Sequence, residues 1–126
     1  MMIICGIPNA GKTTYSNKYD SVVHFDGLDT TTKKRYDRLK ELARKGNAVL
    51  EGVFGDKRRR TELIECCLPE ERKVCIWLDT PVEECVRREN RNRPTNMIRH
   101  HAKVFQPPTY AEGWDEIIII KTEKDF

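Results

Sequence analysis

Hydrophobic residues are concentrated in five short runs that are separated by longer polar stretches. The runs are Met2–Cys5, Val22–Phe25, Ala48–Leu50, Val74–Leu78 and Ile117–Ile120. They are rich in β-branched and aromatic residues and alternate little with polar positions, which is typical of strands buried on both faces. The pattern therefore predicts a five-stranded, mostly parallel sheet.

The polar stretches in the first half of the chain carry signals of helix starts and ends. The first helix is predicted to begin after Asp29 and to end at Gly46, because glycine tolerates the backbone that closes many helices. Asp56 is the expected N-cap of a second helix that ends before Pro69. The residues expected on the buried faces of these helices are Tyr36, Leu39, Leu42, Ala43, Leu63, Ile64 and Cys67.

Two more helices are predicted in the second half. Residues Thr80–Glu83 have the form of a capping box with proline at the first helical position. From Met97 to Phe105 apolar residues recur at helical spacing, and Pro107 ends the pattern. Because strands and helices alternate, residues 1–126 are expected to form one α/β domain with helices on both faces of the sheet.

The segment after the first run, residues 6–13, reads GIPNAGKT and matches the phosphate-loop motif G-x-x-x-x-G-K-[ST] at every fixed position. In such a loop, backbone N–H groups at a helix N-terminus surround phosphate oxygens. Lys12 is expected to reach the β- and γ-phosphates, and Thr13 to offer its hydroxyl to Mg²⁺. The motif therefore predicts a nucleoside triphosphate site in a P-loop NTPase fold. The residues expected around the nucleotide are Gly6, Pro8, Asn9, Ala10, Gly11, Lys12, Thr13, Thr14 and Arg88.

A second match, Asn17–Asp20, reads N-K-x-D, which is the guanine-recognition signature of GTPases. It begins only four residues after the phosphate loop, whereas a segment that reads the base should follow a distant strand. We interpret this match as coincidence. A small kinase is the class that fits a chain of this length.

Three acidic residues follow strand-like runs, where ligands of wound parallel sheets bind. Asp26 is the predicted general base, and Glu51 is predicted to hold a metal or to contact the acceptor. Asp79 precedes the capping box and is expected to be structural.

A cluster of arginines lies where small kinases carry a lid over the phosphates. At least one member of this cluster is expected to stabilise the charge of the transition state, and the spacing does not choose among Arg88, Arg91 and Arg93. Arg87 and Arg88 have an alternative role, which is to pair with Glu83 and Glu84 four residues earlier.

The composition of the chain further restricts the class of protein to which it can belong. The chain carries a net charge of +3, with cations concentrated in Lys57–Arg60 and Arg87–Lys103, which suits a polyanionic ligand. The longest aliphatic run, Ile117–Ile120, is far shorter than a membrane span. The five cysteines include no C-x-x-C pair, so we expect neither a disulfide framework nor a metal site. We therefore also expect a reducing, cytoplasmic location. If a phage encodes the chain, this location is the cytoplasm of the host.

Several features of the chain occur in a recognisable order: the loop Gly6–Thr13, Asp26, Glu51–Phe54 followed by Arg58 and Arg59, Thr80-Pro81 leading to Arg88–Arg91, and the segments Phe105–Thr109 and Glu112–Ile117. In these features the chain resembles the polynucleotide 5′-hydroxyl kinase group of P-loop kinases, which is the kinase half of polynucleotide kinase-phosphatases. Zeta-toxin-like kinases are wider relatives of that group.

The resemblance implies ATP- and Mg²⁺-dependent phosphoryl transfer to a hydroxyl of a nucleic acid. Asp26 would be the base, and Arg91 or Arg93 would stabilise charge. Contacts to the acceptor are then expected from Asp26, Glu51, Arg58 and Arg59. No membrane and no stable protein partner is implied.

Two departures leave the acceptor open. Asp29 stands where relatives that phosphorylate strand ends carry an arginine, and the lid is short. A kinase of hydroxymethyl groups on DNA bases, such as the phage-type 5-hydroxymethyluracil DNA kinases, is one alternative, and it would need an extruded base or a single strand. A kinase of a nucleoside or another metabolite is a second. A nucleotide-binding module without turnover is a third.

Overall fold

A computed structural model describes residues 1–25 and 32–121. Its sheet has five strands in the order β2-β3-β1-β4-β5, and every pairing is parallel. The strands are β1 (Met2–Cys5), β2 (Val23–His24), β3 (Val49–Glu51), β4 (Val74–Asp79) and β5 (Glu116–Lys121). The predicted α/β architecture with a buried parallel sheet is thereby confirmed.

The helices cover both faces of the sheet, in two separate hydrophobic clusters. They are α1 (Lys12–Ser16), α2 (Lys33–Lys45), α3 (Lys57–Cys66), α4 (Val82–Arg87) and α5 (Thr95–Val104). Alternate strand residues serve opposite clusters: Ile3 packs with α2 and α3, whereas Ile4 packs with α1, α4 and α5. Both faces of the central strands are therefore buried, which explains the uninterrupted apolar runs.

Two of the predicted helix starts are corrected by the structure. The helix that was predicted to begin after Asp29 has its first residue at Lys33, and its N-cap is Thr32, whose hydroxyl accepts from the Arg35 amide. Asp29 itself lies outside the described residues. Pro81 is the N-cap of α4 and not its first helical residue, because its ψ of 140° is extended. The Asp56 cap is confirmed, since its carboxylate accepts from the amides of Arg58 and Arg59.

One member of the basic segment Lys57–Arg60 is not on the surface. Arg60 is fully buried and forms a bidentate ion pair with Glu112, just before β5. A third guanidinium donor reaches the carbonyl of Phe54, in the loop after β3. This pair therefore joins α3 and the loop after β3 to the segment that leads into β5.

The five cysteines are free, and three of them, Cys5, Cys75 and Cys85, are buried. Burial raises the pKa of Cys85 to about 11, so its thiol stays protonated at neutral pH. None of the helices in the described part of the chain combines the length and the apolar character that a membrane crossing requires.

Candidate active site

The phosphate loop, residues 6–13, connects β1 to α1 at the carboxyl end of the sheet. Gly11 has a φ of 99° and Asn9 a φ of 68°, both in the left-handed region, which turns the loop toward the helix N-terminus. A Cβ at Gly6 would lie 2.9 Å from the carbonyl oxygen of Leu78, so only glycine fits beside β4. These constraints explain two fixed positions of the motif.

Lys12 extends back across the loop that precedes it. Its Nζ donates to the carbonyls of Gly6 at 3.0 Å and Ile7 at 2.9 Å. Burial lowers the pKa of Lys12, although the nearby Glu51 carboxylate opposes the shift. The ammonium is thus held inside the loop, at the position from which a phosphate-loop lysine reaches phosphate oxygens.

Thr13 and Glu51 come from adjacent elements and meet in the cleft. The Thr13 hydroxyl donates to Oε1 of Glu51 at 2.9 Å, and Glu51 is buried at the end of β3. Hydroxyl and carboxylate oxygens are donors that suit Mg²⁺, which usually takes one or two protein ligands and completes its shell with water and phosphate. Residues 1–25 and 32–121 contain no cluster of three His, Cys, Asp or Glu side chains that could hold a metal ion by themselves. The pair fits the predicted Mg²⁺ site.

The segment that connects α4 to α5, residues 88–93, we call the arginine turn. Arg88 donates from Nε to Glu84 and from Nη1 to the main-chain carbonyl of Asn9, at 3.1 and 3.2 Å. Arg87 also binds Glu84, through two short hydrogen bonds. The alternative prediction that Arg88 pairs with Glu84 is therefore confirmed, yet Arg88 also contacts the phosphate loop.

Arg93 binds both Glu89 and the side chain of Asn9. Its Nε donates to Oε1 of Glu89 at 3.0 Å and its Nη2 donates to Oδ1 of Asn9 at 2.9 Å. Hydrogen bonds from Arg93, and then from Asn9, lower the pKa of Glu89 to about 2. Glu89 is therefore ionised at any working pH.

Arg91 differs from its neighbours. Its amide donates to Oε2 of Glu89, which fixes the backbone, and the residue is exposed. Within the described ranges, no side chain or carbonyl accepts a hydrogen bond from the Arg91 guanidinium. Of the three candidates that the sequence left open, Arg91 is the arginine with all its side-chain donors available to a ligand.

These groups line one cleft of about 1160 Å³. Single-ligand pockets usually span about 300–1,000 Å³, so this cleft has room for a nucleotide and an acceptor. Its wall contains five cations, whereas Glu51 is the one carboxylate that the described residues contribute. The cations are Lys12, Lys18, Arg88, Arg91 and Arg93. The electrostatic character suits a polyanionic ligand.

The structure does not bring every predicted site residue to the cleft. Arg58 and Arg59 lie on α3, outside the cleft wall; Arg58 pairs with Glu62, and Arg59 lies 5.4 Å from the ring centre of Tyr36. Asp26, the predicted base, lies outside the described residues. Asp79 binds Lys121 at 2.6 Å, which agrees with its predicted structural role.

Some lining residues were missed in the sequence. His24 on β2 lies with Nδ1 3.7 Å from Oε1 of Glu51, and its side chain is about half exposed. His101 on α5 is half-buried on the cleft wall. Burial, followed by the charge of His100, lowers the pKa of His101. The run Val22–Phe25 indicated a strand, but it gave no sign that His24 faces Glu51.

No family model and no curated protein sequence matches this chain. Among solved structures, a gluconokinase from Sinorhizobium meliloti 1021 aligns with a TM-score of 0.66 at 10% identity, over 95% of this chain and 81% of that one. A sugar kinase from Janibacter sp. HTCC2649 gives 0.63 at 14% identity, over 97% and 83%. The protein APE1195 gives 0.59 at 17% identity, over 93% and 82%. The chain therefore has the P-loop NTPase fold that its phosphate loop predicted.

Proposed function

We propose that this protein is a kinase that transfers the γ-phosphoryl group of ATP to a hydroxyl group. The observation that carries the proposal is that Lys12, the Thr13–Glu51 pair and Arg91 line one cleft, and that no described residue accepts from the Arg91 guanidinium. Phosphoryl transfer depends mainly on positioning and charge neutralisation, and these residue types supply both.

Each group has a distinct role in this proposal. The amides of the phosphate loop and the Lys12 ammonium bind the triphosphate, and Arg88 lies beside the loop to add charge. Thr13 and Glu51 would hold Mg²⁺, which would neutralise charge on the triphosphate. Arg91, which lines the same cleft, stabilises the charge of the transferring group.

Asp26 is the base of the proposed reaction, on the evidence of its place in the sequence after the second hydrophobic run. It would accept the proton of the acceptor hydroxyl. The test is Asp26→Asn: we expect unchanged affinity for ATP and loss of turnover. A variant with full turnover would show that another group is the base.

For the acceptor, we propose a hydroxyl of a nucleic acid. The support is the resemblance to polynucleotide 5′-hydroxyl kinases, together with exposed cations on the arginine turn and on α3 that suit a phosphate backbone. On α3, the exposed Arg58 and the half-buried Arg59 would contact the strand outside the cleft. A hydroxymethylated DNA base is an acceptor of the same class.

A small-molecule acceptor is the second candidate function. It is favoured by the structural neighbours, two of which are a gluconokinase and a sugar kinase. A metabolite acceptor would need only the interior of the cleft and none of the cations on α3. The two candidates therefore differ in whether Arg58 and Arg59 matter.

The deciding experiment offers γ-labelled ATP with single-stranded DNA and RNA, hydroxymethylated duplex DNA, gluconate and a panel of sugars and nucleosides. Labelled nucleic acid, with transfer that falls steeply as salt rises and in Arg58→Ala/Arg59→Ala, supports the first candidate. Label on a small molecule, with a flat salt profile and full activity in that double variant, supports the second. ATP binding with no transfer to any acceptor would contradict the kinase proposal.

A further inference from the structure

Asn9 occupies a variable position of the phosphate-loop motif. Both polar atoms of its side chain form hydrogen bonds with residues that are distant in the sequence. Its Nδ2 donates to Oε1 of Glu89 at 3.0 Å and to the carbonyl of Cys85 at 3.1 Å. Its Oδ1 accepts from Nη2 of Arg93 at 2.9 Å. One side chain therefore joins the phosphate loop to α4 and to both ends of the Glu89–Arg93 ion pair.

The same ion pair organises the backbone of the arginine turn. Oε2 of Glu89 accepts from the amides of Arg91 and Arg93, at 2.9 and 3.0 Å. Oε1 of Glu89 is shared by Asn9 and by Nε of Arg93. The conformation in which the Arg91 guanidinium lines the cleft thus depends on a carboxylate that Asn9 fixes.

We propose that Asn9 is a positioning residue that fastens the arginine turn to the phosphate loop, so that Arg91 is presented to the transferring phosphoryl group. Asn9 acts through Glu89 and Arg93 and holds the turn before any ligand enters. The kinetic part of this inference rests on the proposed kinase function, whereas the structural part does not.

Asparagine suits this position for two separate reasons. It tolerates the left-handed backbone, with φ at 68°, better than most residues with a side chain. Its amide also donates and accepts at once, which matches a carboxylate on one side and a guanidinium on the other. Glycine would keep the backbone conformation and remove only the connection.

The test variant is therefore Asn9→Gly, with Asn47→Gly as its matched control. Asn47 has a φ of 57° in the connection between α2 and β3, and its backbone amide donates to Oε1 of Glu71. Both variants make the same change in chain entropy at a left-handed position. We expect hydrogen exchange of the Arg91 and Arg93 amides to become about tenfold faster in Asn9→Gly and to be unchanged in Asn47→Gly.

This exchange measurement needs no activity, acceptor or nucleotide. Unchanged exchange in Asn9→Gly, or equal acceleration in both variants, would overturn the inference. If the wild-type protein phosphorylates no acceptor while the exchange result is as expected, the kinase proposal fails and the positioning role of Asn9 stands.

Kinetics then separate positioning from general destabilisation. Asn9→Gly is expected to lower kcat by about ten- to a hundredfold with little change in KM for ATP, because a displaced Arg91 acts only on the transition state. In an Arg91→Met background the same substitution should cost almost nothing further. Losses that multiply in the double variant would show that Asn9 does not act through Arg91.

Discussion

Arg60 and Glu112 form an ion pair with no exposed side-chain surface, although they lie 52 positions apart. Their two parallel hydrogen bonds measure 2.8 and 3.0 Å. The remaining capacity of Glu112 is taken by the amide and hydroxyl of Thr109 and by the indole N–H of Trp114. The pair connects the segment before β5 to α3, so it supports the sheet from which the cleft is built.

We expect removal of one partner to be costly, because the other charge would remain buried without compensation. Arg60→Met should lower the free energy of unfolding by about 3–5 kcal/mol. The matched control is Arg58→Met on the same helix, where an exposed pair with Glu62 contributes about 0–1 kcal/mol. Urea denaturation measures both. An Arg60→Met protein as stable as the Arg58→Met protein would contradict this account.

Glu112 also makes stability depend on pH. Burial alone would raise the pKa of Glu112, but the hydrogen bonds from Arg60 and Thr109 outweigh it and hold the pKa below its ordinary value. A carboxyl group whose pKa is lower in the folded state stabilises the fold at pH values above its pKa in the unfolded state, which is about 4.3 for glutamate. This stabilisation is lost as the pH falls through the pKa of the folded state. The difference in unfolding free energy between wild type and Glu112→Gln should therefore be largest near neutral pH and shrink in acid. Glu70→Gln, which changes an exposed carboxylate, should give a small difference at every pH. A Glu112→Gln difference that stays constant down to pH 2 would contradict the assignment.

Local sequence signals were sufficient to predict which parts of the chain form strands and where the phosphate loop lies. The predicted run Met2–Cys5 has the same first and last residue as β1. Every residue of this run is apolar because alternate side chains enter two different hydrophobic clusters. β5 extends one charged residue beyond the predicted run at each end, since Glu116 and Lys121 continue the register with Val74 and Asp79 of β4. Pairing with a neighbouring strand, which no local pattern encodes, sets those limits.

The site was harder to predict because its contacts join distant parts of the chain. Four adjacent cations, Lys57–Arg60, form one basic segment in the sequence, but the helical turn places Arg60 in the core and leaves Arg58 in solvent. Likewise, nothing near Asn9 in the sequence indicates that its partners lie 76 to 84 positions later. The residue types of the site could be identified from the motif, whereas their division of roles required tertiary structure.

The environment of Lys12 predicts weaker triphosphate binding in alkali. Burial lowers the pKa of Lys12, so its charge is lost at a pH below the ordinary lysine value of about 10.4. Affinity for a non-hydrolysable ATP analogue should therefore decline as pH rises toward that value. Lys12→Arg binds less well but should lose this alkaline decline, since arginine stays charged. The measurement is calorimetric titration of both proteins across the pH range, and parallel declines would assign the effect to another group.

The pKa of about 2 at Glu89 gives a direct test of the arginine turn. Its largest cause is the hydrogen bond from Arg93, so Arg93→Met should move the titration of the Glu89 carboxyl carbon toward the ordinary value of about 4.3. Carbon-13 NMR follows this titration in the free protein. Arg91→Met is the control, because only the backbone amide of Arg91 bonds Glu89, and that amide is retained. Equal shifts in the two variants would mean that the Arg93 side chain is not the main partner of Glu89.

Substitutions of Arg91 and of Arg93 should also have different effects on kcat. If Arg91 stabilises the transferring phosphoryl group, Arg91→Met should lower kcat by about a thousandfold or more and leave KM for ATP nearly unchanged. The variant should fold as well as wild type, because no residue in the described part of the chain depends on the Arg91 side chain. Arg93→Met removes the partner of Glu89 and Asn9, so we expect a smaller loss of kcat that accompanies faster amide exchange in the turn. Steady-state rates on whichever acceptor is labelled, with exchange measured in parallel, distinguish the two. A larger loss of kcat in Arg93→Met than in Arg91→Met, with the turn still protected from exchange, would reverse the assigned roles.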